Sequence, residues 1–230
     1  MPTITGNRML DALSHATLEQ VLGVTRRVDL ELRTRLHEQG EMPSYGYFLC
    51  RGVASVVVTM AEGGSAEVGL IGNEGVVGAM HIIGPTPAPA QCFIQMDGSA
   101  YRIKLEDLRR LFHESEEFRT RILQFVQQQA VSLGQLAACN KLHEAEERLA
   151  RWLLMTRDRS ECDTMYMTQE FIALMLGTRR TTVTMVAGEL QRRGLIEYSR
   201  GKVTVLSREK LEHAACKCYR ITRNALDQLY

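Results

Sequence analysis

Residues 168–206 constrain this chain more than any other stretch. Thr168-Gln169-Glu170 is a helix start, because the Thr168 hydroxyl can accept from one of the unpaired N–H groups of a first turn. Phe171, Ile172, Leu174, Met175 and Leu176 give that helix an apolar face. Gly177 ends it with a residue suited to left-handed backbone. Thr178 can cap a second helix running from 179 to about 193. In it Val183, Val186, Ala187 and Leu190 face one way, while Arg179, Arg180, Thr181, Thr184 and Met185 gather at the N-terminal end and project elsewhere. Gly194 stops it. Residues 195–198, the turn Ser199-Arg200-Gly201-Lys202 and residues 203–206 then read as strand, basic turn, strand, with a short strand at Tyr166-Met167 upstream. Two short helices joined by a tight glycine turn and followed by a hairpin have the order of a winged helix-turn-helix.

The chemistry of this segment points to double-stranded DNA. A helix with Arg and small polar residues on its first turns fits a major groove about 12 Å wide, and an Arg can bond a guanine edge with two donors. Thr168 and Gln169, with the N–H groups of the first helix, can hold phosphate, and Arg200 and Lys202 give the wing a cationic tip. The charge distribution agrees. Residues 1–147 carry 13 Lys and Arg against 18 Asp and Glu, whereas residues 148–230 carry 15 against 9. Only the C-terminal part is basic, although the whole chain is near neutral at +1.

Upstream, the apolar period shifts towards two. Leu10, Leu13, Leu18, Val21 and Leu22 belong to short helical pieces. Alternation then follows around residues 28–32 and 54–58, with glycines at 40, 46, 52, 63, 64, 72 and 75. Short strands with regular glycine turns predict an antiparallel β-roll of the jelly-roll type, with a hairpin tip at Glu62-Gly63-Gly64-Ser65. Gly84-Pro85-Thr86-Pro87-Ala88-Pro89 is a stiff loop, and strands follow near 91–96 and 100–104. From residue 105 the pattern turns helical. Phe118, Ile122, Phe125, Gln129, Ser132, Leu136 and Cys139 recur at steps of four and three in a stretch without proline, the spacing of a dimerisation seam. Packing of that helix on its own roll is the competing reading. A second amphipathic helix, residues 144–157, carries Leu149, Trp152, Leu153 and Leu154. The expected fold is α+β: a roll with short N-terminal helices over 1–113, a long helix over 114–142, and a winged helix-turn-helix over 143–230.

Roll, long helix and C-terminal winged helix-turn-helix in this order resemble the Crp/Fnr family of bacterial transcription regulators. The resemblance is carried most specifically by residues 167–183 and by the wing at 194–203. The family pattern at the second helix is Arg-Glu-Thr-Val with a further Arg two residues on. The match here is Arg180-Thr181-Thr182-Val183, with Met185 at the later position. The resemblance implies a homodimer reading a two-fold operator, Arg180 as a base contact, a different operator from that of the cyclic AMP member, and RNA polymerase as a partner.

It also bears on the effector. Members that bind cyclic AMP carry Gly-Glu-Leu and then Arg-Ser, where Arg neutralises the cyclic phosphate and Glu accepts from the ribose. The best match starts at Gly78 and puts Ala79 at the Glu position, Pro89 at the Arg position and Ala90 at the Ser position. No basic residue stands between Arg51 and Arg102. The expected effector is therefore unknown and not cyclic AMP. A cyclic-nucleotide regulator with a non-standard phosphate site, and a redox sensor using a thiol or a haem held by His81 or Cys92, are the alternatives.

Other classes find little support. The six cysteines, Cys50, Cys92, Cys139, Cys162, Cys216 and Cys218, are too scattered for a disulfide framework, and none lies near the N-terminus where iron–sulfur members keep their cluster. Cys216-Lys217-Cys218 reads as part of a helix, where thiols two residues apart diverge, so free thiols and no metal site are expected. No hydrolase, phosphate-loop, zinc-protease or dinucleotide fingerprint is present, and no enzyme or cofactor is expected. No apolar run reaches membrane-spanning length, and residues 1–8 lack the apolar core of a secretion signal, so a cytoplasmic location away from membranes is expected.

Overall fold

The computed structural model describes residues 5–84 and 86–230. Residues 1–4 and Pro85, on which the readings of the chain start and of the proline loop partly rest, lie outside it. Two short helices, α1 (Arg8–Asp11) and α2 (His15–Gly23), lead into the strands β1 (Thr25–Leu30), β2 (Arg35–His37), β3 (Tyr45–Thr59), β4 (Ser65–Ile71) and β5 (Val76–Val77). Helix α3 (Met80–Ile83), strand β6 (Gln91–Lys104) and helices α4 (Leu105–Glu114), α5 (Glu116–Leu142) and α6 (Ala145–Ser160) follow. The C-terminal part consists of β7 (Thr164–Tyr166), α7 (Gln169–Leu176), α8 (Arg180–Arg192), β8 (Ile196–Ser199), β9 (Lys202–Val205), α9 (Arg208–Ala214) and α10 (Cys218–Asp227).

The roll is an antiparallel sheet in the order β1-β6-β3-β4, with β2 also on β6 and β5 on β3. The two strands expected at 91–96 and 100–104 form one, β6. It pairs with the long β3 through several register shifts, so bulges bend one ladder instead of ending it. The hairpin tip closes as expected, with the Gly63 N–H donating to the Met60 carbonyl at 2.9 Å. Asn7 fixes the N-terminal segment: it caps α1 and donates through Nδ2 to the carbonyls of Leu49 and Gly75, both at 2.8 Å.

Helix α5 starts at Ser115, whose hydroxyl accepts from the Phe118 N–H. Phe118, Ile122 and Phe125 are fully buried among Phe48, Leu49, Ile94, Ile103 and Leu108 of the roll and α4. Gly75 is required there, since a Cβ on it would lie 2.0 Å from the Phe125 ring. Phe118, Ile122 and Phe125 of the expected dimerisation seam therefore belong to the protomer's own core. Gln129, Ser132 and Leu136 continue the same face over β4 and α6, and Cys139 is fully buried against Cys216. Large apolar residues at that spacing serve the chain's own core at Phe118, Ile122 and Phe125, while Gln129, Ser132 and Leu136 stay half-buried.

A second core surrounds α6. Leu149, Trp152 and Leu153 pack with Ile172, Leu176, Val183 and Leu190 of the helix-turn-helix, and also with Val53, Val57 and Leu70 of the roll. A buried polar network crosses the same junction. Trp152 Nε1 donates to Glu67 Oε1 at 2.8 Å, Ser55 Oγ lies 2.8 Å from Glu67 Oε2, and Gln95 Nε2 donates to Thr156 Oγ1 at 3.3 Å. Arg159 pairs with Glu74 at 2.8 Å, both almost fully buried. Among the described residues no helix is long and apolar enough to cross a membrane.

Candidate nucleic-acid interface

The local sequence explains the helix-turn-helix geometry. Thr168 accepts from the Phe171 N–H at 3.1 Å, capping α7 as expected. Gly177 takes φ +57°, and the Thr178 N–H returns to the Ala173 carbonyl at 2.9 Å. The tight turn therefore satisfies the last carbonyls of α7 with a residue that carries no Cβ penalty. The second helix begins one residue later than expected: Arg179, not Thr178, is the N-cap of α8, and no side chain caps it. Its first N–H groups are thus left for another acceptor. Val183, Val186, Ala187 and Leu190 are its buried face.

The opposite face is presented to solvent. Arg179, Arg180, Thr181, Thr184 and Met185 are all exposed, Met185 at 68%. Strands β8 and β9 are joined by Arg200-Gly201, both at positive φ (51° and 75°), so the turn is a two-residue hairpin with Arg200 at its tip. Strand β7 pairs with β9 and anchors the hairpin to α7. Thr168, Gln169, Glu170, Arg180, Tyr198 and Arg200 converge on a cleft of about 400 Å³ between the start of α7, the start of α8 and the wing. Thr184 Oγ1 donates to Gln169 Oε1 at 2.7 Å, which aligns the two helix starts. Lys202 is exposed at the first position of β9.

Two lining residues were not picked out from the sequence. Glu170 pairs with Arg180 at 3.3 Å, both exposed, and so holds the guanidinium at the mouth of the cleft. An acid in a first helical turn reads simply as a dipole partner, so nothing in the sequence marked it. Tyr198 donates through its hydroxyl to the Met167 carbonyl at 2.9 Å and holds the wing against the strand–helix entry.

In the roll, the positions matched to a phosphate cassette carry no cation. Ala79 and Ala90 are buried and Pro89 is exposed. His81 packs edge-to-face on His37 at 5.4 Å. Burial, with some help from His81, pushes His37 down to about 4, and burial also lowers His81, so neither ring offers a positive charge at neutral pH. Arg109 is engaged with the His81 carbonyl at 3.0 Å, Arg102 lies over the Tyr45 ring, and Arg51 faces solvent. Cys92 is fully buried and its thiol is pushed far up by burial, so it is a packed apolar group and not a reactive thiolate.

Comparison with known proteins agrees with this geometry. Residues 27–115 match the model of the cyclic nucleotide-binding domain, and residues 147–214 match that of the Crp-like helix-turn-helix domain. Similar solved structures include the c-di-GMP responsive global regulator CLP of Xanthomonas campestris, at 18% identity and TM-score 0.68, with 84% of this chain and 100% of that one covered. FixK2 of Bradyrhizobium japonicum is 16% identical at TM-score 0.70, with coverages of 84% and 98%. TTHB099, a CRP-family transcriptional regulator of Thermus thermophilus, is 20% identical at TM-score 0.68, with coverages of 83% and 96%. At such identities the likeness establishes the fold. Among curated proteins none matches the chain. A cyclic nucleotide-binding-type roll that leads through one long helix into a Crp-like helix-turn-helix places this chain among the DNA-binding transcription regulators of the Crp/Fnr family.

Proposed function

We propose that the chain regulates transcription as a homodimer on a two-fold operator, without cyclic AMP as effector. The observation that carries the DNA reading is the exposed start of α8, with Arg179, Arg180, Thr181, Thr184 and Met185 on one face and Arg200 and Lys202 beside them. Arg180 is the base reader, Thr168 and Gln169 with the α7 N–H groups hold phosphate, and the wing cations follow the backbone. Dimerisation uses the outer face of α5. Leu123, Gln127, Ala130, Gly134 and Ala137 are exposed at steps of four and three, on the side of the helix away from the buried stripe, with Val131 beside them. Small residues at Ala130, Gly134 and Ala137 let two helices approach closely. The effector reading rests on the cation-free cassette, since a buried cyclic phosphate without a paired cation loses several kcal/mol. DNA as target puts the site of action in the cytoplasm, with RNA polymerase as a further partner.

The test is operator binding by Arg180→Ala and Lys202→Ala. Arg180→Ala should remove discrimination at one guanine per half-site, about 1–3 kcal/mol. Lys202→Ala should weaken all sequences alike and lower the salt dependence by about one phosphate. Equal losses on specific and random DNA for Arg180→Ala would assign it to phosphate and overturn the register.

A further inference from the structure

The helix reading of Cys216-Lys217-Cys218 is overturned by the backbone. Helix α9 stops at Ala214, Ala215 turns extended at φ −78°, ψ 148°, and α10 opens only at Cys218. The break lets both thiols face the end of α5. There Cys139 occupies the last turn, and His143, just past the helix end at φ −114°, ψ 147°, swings its ring onto them. The four ligand atoms of Cys139, His143, Cys216 and Cys218 all lie within 4.8 Å of one another. Cys139 Sγ is 3.5 Å from Cys216 Sγ, and Cys218 Sγ is 3.5 Å from His143 Nδ1.

These separations suit a tetrahedral metal better than free thiols. With Zn–S bonds of about 2.3 Å and a Zn–N bond of about 2.0–2.1 Å, tetrahedral edges are about 3.8 Å between sulfurs and about 3.6 Å from sulfur to nitrogen. The Cys139–Cys216 and Cys218–His143 pairs both lie within about 0.3 Å of that spacing. A disulfide would need its sulfurs at about 2.05 Å. The surroundings fit a negative centre. Arg148 and Arg151 each hold a buried Nε with no protein partner. Gln135 Nε2 donates to Cys218 Sγ at 3.0 Å, the kind of outer contact that orients a thiolate. Four protein ligands leave no open position, so the chemistry is structural.

We propose that Cys139, His143, Cys216 and Cys218 form a Cys3His site for Zn2+ that clamps the end of the long helix α5 to the α9–α10 junction. Binding releases three thiol protons to solvent. Three thiolates and a neutral imidazole around Zn2+ leave a centre of net charge −1, which Arg148 and Arg151 offset. No oxidation state changes. The clamp sits at the elbow between α5 and α6, so it fixes the C-terminal part on the long helix. The site stands independently of the operator and dimer readings.

The test uses the full chain, purified reduced and dialysed against metal-free buffer. Elemental analysis should find one zinc per chain, retained in Cys162→Ser, whose thiol is exposed and not part of the cluster. Cys216→Ser and His143→Ala should each weaken zinc binding by more than the ~10–100-fold that outer-shell changes produce. Should these variants fail to fold, Co2+ added to metal-free wild type should give the intense thiolate charge-transfer and tetrahedral d–d bands, bleached by Zn2+. Sub-stoichiometric zinc with a weak octahedral Co2+ spectrum would overturn the proposal. So would zinc that persists in Cys216→Ser, or a metal-free purified protein carrying a Cys139–Cys216 disulfide.

Discussion

Glu67 provides a quantitative test of how the roll is joined to the DNA-binding part. Its carboxyl is fully buried, and burial pushes it up to about 7 against the lowering effect of its bonds from Ser55 and Trp152. The proton inventory points the same way. Ser55 has one hydroxyl proton but faces two acceptors, Glu67 Oε2 and Gln95 Oε1. If Glu67 is protonated, it donates to Ser55, which then donates to Gln95, and each acceptor has one donor. The folded chain thus binds an extra proton between about 4.5 and 7. The stability this provides is complete below about 4.5 and is lost as pH rises through 7. At about 1.4 kcal/mol per unit the loss is on the order of 3 kcal/mol. Glu67→Gln mimics the protonated acid, since its amide can donate to Ser55 and its oxygen can accept from Trp152. The variant should match wild type within about 0.5 kcal/mol at pH 4. At pH 8 it should be more stable by up to about 3 kcal/mol, or about 6–12 °C in melting midpoint for a chain of this size. Urea unfolding followed by the emission of Trp152, the single tryptophan and a direct partner of Glu67, reads the difference at its source. The same difference at both pH values, or a variant less stable at pH 8, would refute a protonated buried Glu67.

Four further outcomes are expected. Ala137→Glu should dissociate the dimer in sedimentation experiments while leaving the melting midpoint of the protomer unchanged. Ile122→Ala should cost about 2–5 kcal/mol of folding stability and leave the dimer constant alone; a reversed pattern would restore the inner seam as the interface. Cyclic AMP should give no calorimetric signal at physiological concentration, and low-micromolar binding would mean that Arg109 or Arg51 supplies the charge. Glu170→Gln frees Arg180 from its ion pair and should tighten operator binding, and unchanged affinity would show that the pair has no effect on recognition.

The roll strands, the capped α7 and the buried face of α8 were legible because alternation, Thr168 and Gly177 each carry a local physical signal. The orientation of α5 was not. Periodicity shows that Phe118, Ile122 and Phe125 share a face but not what that face meets. Here it meets the roll, where Gly75 leaves room for the Phe125 ring. The outer stripe of Gln127, Ala130, Gly134 and Ala137 is small and polar enough to read as solvent-facing. The cysteine cluster was hidden for a different reason. Its two halves are more than 70 residues apart in sequence, and neither glycine nor proline marks the break at Ala215 that turns Cys216 and Cys218 together.

The two stripes of α5 stand back to back on one helix. The inner stripe is rooted in the centre of the roll, and the outer one points away from the protomer. A helix is only about 10 Å across and bends little. A displacement of the roll's interior therefore reaches the opposite surface through a single stiff wall, with no loop to absorb it. Exchanging the faces would take close to half a turn of that wall, so it has only small tilts and slides with which to carry a message.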